Sequence, residues 1–311
     1  MTAGSLVRRR RMSPLAWREA RWGYLFLSPW IAGFVLLTLA PMVATLAFTF
    51  SNINLGQQTP IAFVGLHNYD RLFHDGQAWE SLGITLRFGL IALPVSVIVP
   101  FVLALLLNSP YLRGRAAFRV LFFLPYVVPF VASVLIWQGM LNPAAGWIDE
   151  GLRALGVSDP PDWLQSVTWI YPALILVGIW GIGAGVIVNL AGLRSIPSEY
   201  YDAARIDGAG PVAQLRHVTL PMMSPVIFYT IVLGIVEILQ YFLVPLVLLN
   251  GTGDPGGTTL FLNLYIYKTF FLFQDMAYGA TLAWMLFLVT LLITLILFAS
   301  ARRWVYYAGE R

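Results

Sequence analysis

The chain has 311 residues, of which 59% are hydrophobic and 11% charged, with a formal net charge of +4 and a mean hydropathy of +0.75. Because a soluble domain carries about 25% charged residues, this composition excludes a soluble globular protein and indicates the lipid bilayer as solvent. The sequence has no cysteine, which excludes disulfides and thiolate metal sites. Its three histidines, His67, His74 and His217, lack the spacing of metal ligands.

Six apolar runs reach the length of about 20 residues that a membrane-spanning helix needs. They cover 22–50, 82–108, 118–141, 168–193, 223–249 and 278–301. The first run exceeds the apolar region of a signal peptide, about 7–15 residues, so we predict a retained span. Several runs contain prolines, which kink helices and are tolerated where neighbouring spans satisfy the freed backbone groups.

The distribution of cationic residues predicts the orientation of the spans. Fifteen of the nineteen Lys and Arg residues lie in 1–22, 109–119, 194–222 and the tail, which by the positive-inside rule places both termini in the cytoplasm. The predicted organisation is a basic N-terminus (1–21), a six-span domain (22–301) and a tail (302–311). Because the cations cluster at the ends of apolar runs rather than on one face, we expect no nucleic-acid partner.

A polar loop at 194–222 separates the fourth and fifth runs. A helix is predicted to begin near Ser195 and Pro197 and to end at Gly208, and a second short helix is expected from Pro211 to about His217. Glu199 and Asp202 lie in or near the first turns of the first of these helices, where the helix macrodipole favours negative charge. From the residues alone, this loop is either a helix that docks against a cytosolic partner or an amphipathic linker on the membrane surface.

The loop resembles a motif of the permeases of binding-protein-dependent ABC importers. Those permeases carry the pattern E-A-A, three residues, G, nine residues, I-x-L-P. This chain has Asp202-Ala203-Ala204, three residues, Gly208, nine residues, and Val218-Thr219-Leu220-Pro221. The spacing matches throughout, with Asp in place of the usual Glu and Val in place of the usual Ile.

The resemblance extends over most of the chain and points to the carbohydrate-type branch of these permeases. FVGLHNYDRLF (63–73), NGTGDPGGTTLFLNLYIYKTFF (250–271), DMAYGATLAWMLF (275–287) and RRWVYYAGE (302–310) are similar to segments of the first permease subunit of maltose, glycerol-3-phosphate and multiple-sugar importers. The implied fold is an all-α integral membrane protein with six transmembrane helices. The implied location is the cytoplasmic (inner) membrane of a bacterium or archaeon.

The resemblance also implies partners and residue roles. The partners are a second permease subunit, two cytosolic ATPase subunits and an extracytoplasmic solute-binding protein. In the family the loop helix seats in a groove of the ATPase and transmits its closure to the spans, and Asp202 here would contact a basic residue of the ATPase. The implied docking residues are Glu199, Tyr201, Asp202, Ala203, Ala204, Asp207, Gly208, Leu220 and Pro221.

The sequence lacks the motif that would let this chain hydrolyse ATP itself. A phosphate-binding loop of the form G-x-x-x-x-G-K-[ST] requires a lysine, and the only lysine, Lys268, follows a tyrosine. We therefore expect no cofactor, metal or catalytic residue in this chain, with ATP and Mg bound by the partner ATPase.

The fifth run contains a candidate substrate path. An ionisable residue inside a span costs about 2.5–3.5 kcal/mol at its centre, and Glu237 lies near the middle of this run. Gly234 precedes this glutamate by three residues, and Gln240 and Tyr241 follow by three and four, so we expect all four on one helix face that offers an amide and an aromatic ring to a sugar. The alternative is a structural Glu237, protonated or paired with the partner permease.

Three other polar or aromatic residues and one segment have two interpretations each. Trp137 is a membrane-interface anchor or, with Gln138, a substrate contact, and Asn189 is an interhelical hydrogen-bonder or part of the path. The segment 142–167 is expected to form a short amphipathic helix that caps the bundle or touches the binding protein.

The sequence therefore predicts a permease subunit that imports a carbohydrate, with a neutral di- or oligosaccharide favoured because Arg87 is the only cation near the path. An ABC permease for glycerol-3-phosphate or another polyol-type solute is the first alternative. An independent secondary transporter would show an inverted repeat with broken helices, and a membrane enzyme would show convergent catalytic groups; neither is visible in the sequence.

Overall fold

The computed structural model describes residues 13–57 and 60–306, which form helices joined by loops. Four helical stretches are long and apolar enough to cross a membrane, and two bent helix pairs raise that number to six if each pair is one span. The four stretches are Pro14–Phe48, Gly76–Asn108, Pro211–Leu248 and Met276–Trp304. The predicted cytoplasmic cations Arg8 to Arg11 and Arg311 lie outside the described residues.

The first stretch consists of α1 (Pro14–Phe34), a π-helical turn (Val35–Leu39) and α2 (Ala40–Phe48). It begins at Pro14 rather than at residue 22, because the hydroxyl of Ser13 accepts a hydrogen bond from the Ala16 amide at 3.2 Å and caps the helix there. The predicted boundary between a basic N-terminus and the first span therefore falls inside a helix.

The second stretch is a single long helix preceded by a short one. After α3 (His67–His74), α4 runs over Gly76–Asn108. The carboxylate of Asp75 starts α4 by accepting hydrogen bonds from the amides of Gln77 and Ala78 at 3.0 and 3.2 Å. Helix α4 is the central element of the bundle, because it packs against later helices on both sides of the 194–222 loop in the chain.

The third and fourth runs are bent rather than straight. Helices α5 (Arg115–Val127) and α6 (Phe130–Met140) meet at 101°, because Pro129 cannot continue the helix and Val128 is extended. After α7 (Trp147–Ala154), helices α8 (Ile170–Trp180) and α9 (Gly183–Ser195) meet at 60°. The expected helix within 142–167 is therefore present as α7.

The fifth run lies within the helical stretch Pro211–Leu248, which begins before the predicted span and contains a break. The loop helix α10 (Ser198–Ile206) is followed by α11 (Pro211–Gln214), a π-helical turn (Leu215–Thr219) and α12 (Leu220–Leu239), and these last three form one continuous helix. The second helix expected from Pro211 is therefore present, but it continues past His217 instead of ending there. The span expected over 223–249 is present with a break, since α12 stops at Leu239 and the helix resumes as α13 (Leu243–Leu248).

Two of the π-helical turns have the same position relative to a proline. The turn Val35–Leu39 ends two residues before Pro41, and the turn Leu215–Thr219 ends two residues before Pro221. A proline ring clashes with the carbonyl four residues back in an α-helix. The wider π turn gives that carbonyl room, so both helices continue through the proline.

The chain ends with α14 (Leu262–Tyr267), a π-helical turn (Lys268–Leu272) and α15 (Met276–Trp304). Residues 196–219 form one end of the bundle, called the loop end. Residues 49–75 and 249–275 form the opposite end. The core near the loop end packs Phe101, Leu190 and Met223 together, and the core near the opposite end centres on Phe88 and Phe261.

Candidate functional site

Helix α10 at the loop end has one exposed face and one packed face. Glu199, Asp202 and Ala203 are exposed, as are Asp207 and Gly208 just beyond the helix. Ala204 and Tyr201 are half-buried on the side facing the bundle, and Tyr201 packs against the core near the loop end. Of the residues expected to dock, Tyr201 therefore points the other way from the acidic pair Glu199 and Asp202.

A hydrogen bond ties α10 to the foot of α12. The hydroxyl of Tyr201 lies 3.1 Å from the hydroxyl oxygen of Thr219. Thr219 is 4% exposed and is the last residue of the π-helical turn. The sequence gave no separate signal for Thr219, which occupies the variable position of the I-x-L-P part of the motif.

The turn after α10 depends on Gly208. Its φ of +80° lies in the left-handed region, where a side chain costs roughly 1–2 kcal/mol. This conformation lets the amide of Ala209 bond to the carbonyl of Ala204 at 2.8 Å, as in a helix C-cap of the Schellman type. The side-chain amide of Gln214 then donates to the Ala209 carbonyl at 2.8 Å, which fastens the turn to the next helix.

The foot of α12 is also fastened to the end of α15. The hydroxyl of Ser224 accepts a hydrogen bond from the Tyr306 amide at 2.8 Å. The ring of Phe228 makes edge contacts with Phe298 and Trp304 at centroid distances of 5.0 and 5.8 Å. Leu220 is exposed and Pro221 half-buried in the first turn of α12. Pro221 borders a groove of about 200 Å³ with Tyr200, His217, Val218, Met222 and Tyr306.

The stripe predicted in the fifth span does not form. Helix α12 ends at Leu239, and Gln240 is its C-cap, so Gln240 and Tyr241 do not continue the helical face of Glu237. Tyr241 instead packs its ring between Phe88 and Phe261 at 5.1 and 5.2 Å. Its hydroxyl is buried and has no hydrogen-bond partner within 13–57 and 60–306.

Gly234 and Glu237 lie on different sides of α12. A Cβ at Gly234 would stand 2.8 Å from Cδ1 of Leu93, so this glycine allows α12 to approach α4 closely. Glu237 is exposed, as are Leu233 and Tyr229, one and two turns earlier. Gly234 is therefore a helix-packing residue, whereas the carboxylate of Glu237 lies on a face that this chain alone does not cover.

Trp137 and Asn189 are buried rather than facing a path. Trp137 is 5% exposed, and its ring meets Trp180 edge-on at 5.7 Å. Asn189 is 2% exposed, and its side-chain amide donates to the carbonyl of Gly185 on its own helix at 2.8 Å. This bond is within one helix, not between helices as expected.

Gln138 borders a cavity at the opposite end. Its side-chain amide donates to the carbonyl of Leu248 at 3.2 Å, joining α6 to α13. The cavity measures about 270 Å³ and is lined by Gln138, Leu164, Gln165, Leu248, Leu249, Asn250, Thr252 and Asp254. Gln138 is thus placed near the end of the interrupted fifth helix, while Glu237 and Tyr241 do not line this cavity.

A polar cluster at the opposite end was not predicted from the sequence. The second carboxylate oxygen of Asp75 accepts hydrogen bonds from the hydroxyls of Tyr265 and Tyr278 at 2.8 and 2.5 Å. Arg71 pairs with Asp275 at 2.5 Å, and its guanidinium carbon lies 3.8 Å from the centroid of the Tyr278 ring. These bonds join α3 and the starts of α4 and α15 to α14.

The cluster perturbs the ionisation of Asp75 and Tyr265. Burial raises the pKa of Asp75, but hydrogen bonds from Tyr278, Tyr265 and the amides of Ala78 and Gln77 outweigh burial and hold this pKa below its ordinary value. Burial and the hydrogen bond to Asp75 raise the pKa of Tyr265 to about 12. Both groups are therefore in their hydrogen-bonding forms, carboxylate and neutral phenol, at neutral pH.

The long apolar helices and the bent pairs define a multi-span integral membrane protein, and the polar loop between α9 and α12 carries the permease-like motif. Residues 96–306 match the family described as "Binding-protein-dependent transport system inner membrane component". The chain belongs to this family. Membership confirms the predicted kinship with ABC importer permeases, the inner-membrane location and a role in translocation rather than catalysis.

Curated relatives and a solved structure are similar over nearly the whole chain. The probable ABC transporter permease protein YesP of Bacillus subtilis (strain 168) is 33% identical, covering 93% of each chain. The lactose transport system permease protein LacF of Rhizobium radiobacter is 31% identical, covering 90% of this chain and 94% of the relative. One chain in the crystal structure of a bacterial ABC transporter that imports the acidic polysaccharide alginate is 25% identical, with a TM-score of 0.79 over 92% of this chain and 98% of that chain.

Proposed function

We propose that this protein is the permease subunit of an ABC importer for a neutral di- or oligosaccharide. The relatives support a carbohydrate, since one is named for lactose and the structural neighbour imports alginate. The chain's own residues support a neutral cargo. The described cavity near α13 has one carboxylate, Asp254, and no cation in its lining, and a carboxylate repels an anionic sugar.

The proposed topology has six spans with both termini in the cytoplasm. Each bent pair, α5 with α6 and α8 with α9, then crosses once. This arrangement brings the cation-rich connections to the cytoplasmic side and makes the loop end cytoplasmic. The opposite end, with its cavity and the polar cluster around Asp75, then faces the solute-binding protein.

The structure of the loop end supports a role in transmitting ATPase movement to the membrane spans. Helix α10 presents Glu199, Asp202 and Ala203 outward, and its inward side is bonded to the foot of a continuous helix that enters the membrane. A cytosolic ATPase that binds the exposed face of α10 therefore moves α12 when it changes conformation. ATP and Mg bind to the two ATPase subunits, which close and drive alternating access in this chain and a second permease subunit.

The position of Glu237 supports a path or subunit contact along α12. A carboxylate on a membrane-facing surface is too costly to leave in lipid, and this chain leaves that side of α12 uncovered. The face of Glu237 therefore meets either the translocation path or the second permease, and both lie on the same side of this subunit. Gln240 follows at the helix break and is exposed like Glu237.

Co-purification tests the docking role. The detergent-solubilised protein is used to recover its partners, comparing the wild type with Asp202→Arg combined with Gly208→Trp. The control combines Glu150→Arg with Gly151→Trp on α7, where both positions are also exposed. We expect the wild type and the control to recover an ATPase and a second permease, and the loop variant to keep only the permease. Equal recovery of the ATPase by the loop variant would rule out docking at α10.

A further inference from the structure

Two adjacent tyrosines of α10 have different surroundings. The side chain of Tyr200 is 47% exposed, and Tyr201 is half-buried with its hydroxyl 3.1 Å from the Thr219 hydroxyl. Substituting phenylalanine at either position removes one oxygen and keeps the ring. The pair thus offers the same chemical change at a bonded and at an exposed position, one residue apart.

The hydroxyl of Thr219 has two polar neighbours. It lies 3.1 Å from the Tyr201 hydroxyl, and either of these two hydroxyls can be the donor of that bond. It also lies 3.4 Å from the carbonyl oxygen of Gln214, to which it can donate its single proton when Tyr201 donates to it. These contacts connect α10 through Thr219 to the backbone of α11.

The Tyr201–Thr219 bond is made at the π-helical turn that precedes α12. Thr219 closes the π-helical turn Leu215–Thr219, where the loop becomes the membrane-entering helix α12. Helix α10 is joined to the rest by an extended residue, Ile196, before it and by the Gly208 turn after it. The Tyr201–Thr219 bond is a direct side-chain link between the loop helix and the foot of α12.

We propose that Tyr201 is a positioning residue for coupling, not a docking contact, and that its hydroxyl holds α10 in register with α12 while the ATPase closes. This inference rests on the proposed docking of an ATPase at α10. Without the bond, the outer face of α10 still binds the ATPase. The helix then slips against α12, so part of the ATPase movement no longer reaches the span.

The test uses the complete transporter in proteoliposomes, with lactose as the cargo and a binding protein loaded with it. The quantity is the number of sugar molecules transported per ATP hydrolysed, and recovery of the ATPase during purification is measured in parallel. A net hydrogen bond changes an equilibrium by about twofold to tenfold. We expect Tyr201→Phe to lower the transport ratio by that factor with full ATPase recovery, and Tyr200→Phe to leave the ratio unchanged.

A second substitution separates coupling from simple loss of stability. Thr219→Val removes the other hydroxyl of the bond, and we expect it to lower the ratio as Tyr201→Phe does. The double variant should then lose no more than either single variant, since both remove one shared bond. Losses that multiply in the double variant, or an unchanged ratio in Tyr201→Phe, would overturn the inference.

The outcome also distinguishes this inference from the docking proposal. If Tyr201→Phe loses the ATPase during purification, Tyr201 belongs to the docking surface and the positioning role is wrong. If the wild type retains no ATPase, the docking proposal fails and the inference fails with it. If the wild type retains the ATPase and Tyr201→Phe keeps the transport ratio, only the inference fails.

Discussion

The carboxylate of Asp202 accepts a hydrogen bond from the guanidinium of Arg205, one turn later on α10, at 2.8 Å. Both side chains are more than 60% exposed, and exposed ion pairs contribute only about 0.2–1 kcal/mol. A cation from a partner protein can therefore replace Arg205 at little cost. Asp202, which is shorter than the family's usual Glu, is therefore exposed on α10 and held only by this weak ion pair.

This exchange gives the first prediction. Asp202→Asn should weaken binding of the ATPase about tenfold or more, because a hydrogen bond to a charged group contributes about 1.5–3 kcal/mol. Arg205→Gln should leave binding equal or slightly tighter, because it removes the competing cation. The measurement is a titration of purified ATPase onto the solubilised permease pair. Equal weakening by both substitutions would mean that the Asp202–Arg205 pair acts as a unit.

The two glycines of the loop turn should differ in their tolerance of alanine. Gly208 has a φ of +80°, so Gly208→Ala should cost about 1–2 kcal/mol of stability. Gly210 has a φ of −70°, and apart from its chain neighbours no atom lies within 4 Å of the place that the Cβ of an alanine would occupy. Gly210→Ala should therefore be neutral or slightly stabilising. Thermal unfolding of the two purified variants checks the difference, and a lower midpoint for Gly210→Ala would contradict it.

Gly183 should be sensitive to a single methyl group. A Cβ there would lie 2.4 Å from the carbonyl oxygen of Phe122 and 3.1 Å from Cα of Phe123, which are backbone atoms of α5. Gly183→Ala should therefore force α5 and α9 apart and cost about 1–3 kcal/mol. Gly178→Ala on α8 is the control, since nothing lies within 4 Å of its Cβ. Equal unfolding midpoints for the two variants would show that α5 and α9 are less tightly packed.

Glu237 should affect transport rather than folding. It is exposed on α12 in this chain, so Glu237→Gln should leave the thermal midpoint unchanged while lowering sugar uptake or the stimulated ATPase rate severalfold. Glu80→Gln, at an exposed position near the start of α4, is the control. If Glu237→Gln and Gln240→Ala both leave uptake affinity and stimulated ATPase unchanged, this side of α12 carries no substrate site.

The cluster around Asp75 predicts how stability varies with pH. The pKa of Asp75 is lower in the folded protein than its ordinary value of 3.8, so its contribution is present above that value and is lost as pH falls below it. The pKa of Tyr265 is raised from 10.0 to about 12, so its contribution is lost as pH rises through that interval. Thermal midpoints measured across both ranges test these signs.

Two substitutions test the acid and the alkaline limbs of this pH profile separately. Asp75→Asn should flatten the acid limb and leave the alkaline limb smaller, because Tyr265 loses its charged acceptor. Tyr265→Phe should make the alkaline limb smaller and keep most of the acid one, since Tyr278 still donates to Asp75. An acid limb that is unchanged in Asp75→Asn would show that another carboxylate controls acid stability.

Most of the secondary structure followed from hydropathy and proline positions. The six apolar runs correspond to the four long stretches and the two bent pairs, and Pro129 marks the sharpest bend. The break after Leu239 could not be read from the sequence, because Gln240 and Tyr241 fit a helix as well as a break. Packing of Tyr241 between Phe88 and Phe261 is a tertiary contact that overrides the local pattern.

The position of the 194–222 loop could be predicted from the sequence, but the hydrogen bonds inside the loop could not. The spacing from Asp202 to Pro221 located it, and Gly208 signalled the turn. The inward direction of Tyr201 depends on where α10 lies against α12, which no pattern within the loop specifies. The cluster of Asp75 with Tyr265 and Tyr278 joins residues about 200 positions apart, and a single sequence carries no signal for such a contact.

The most direct measurement is uptake of a radiolabelled neutral disaccharide into proteoliposomes that contain this protein, its second permease and the ATPase, with the binding protein outside. We predict accumulation that requires ATP inside the vesicles and that is abolished by Asp202→Arg with Gly208→Trp but not by Arg205→Gln. Uptake by this protein alone, driven by an ion gradient without ATP, would contradict the proposed function and identify a secondary transporter.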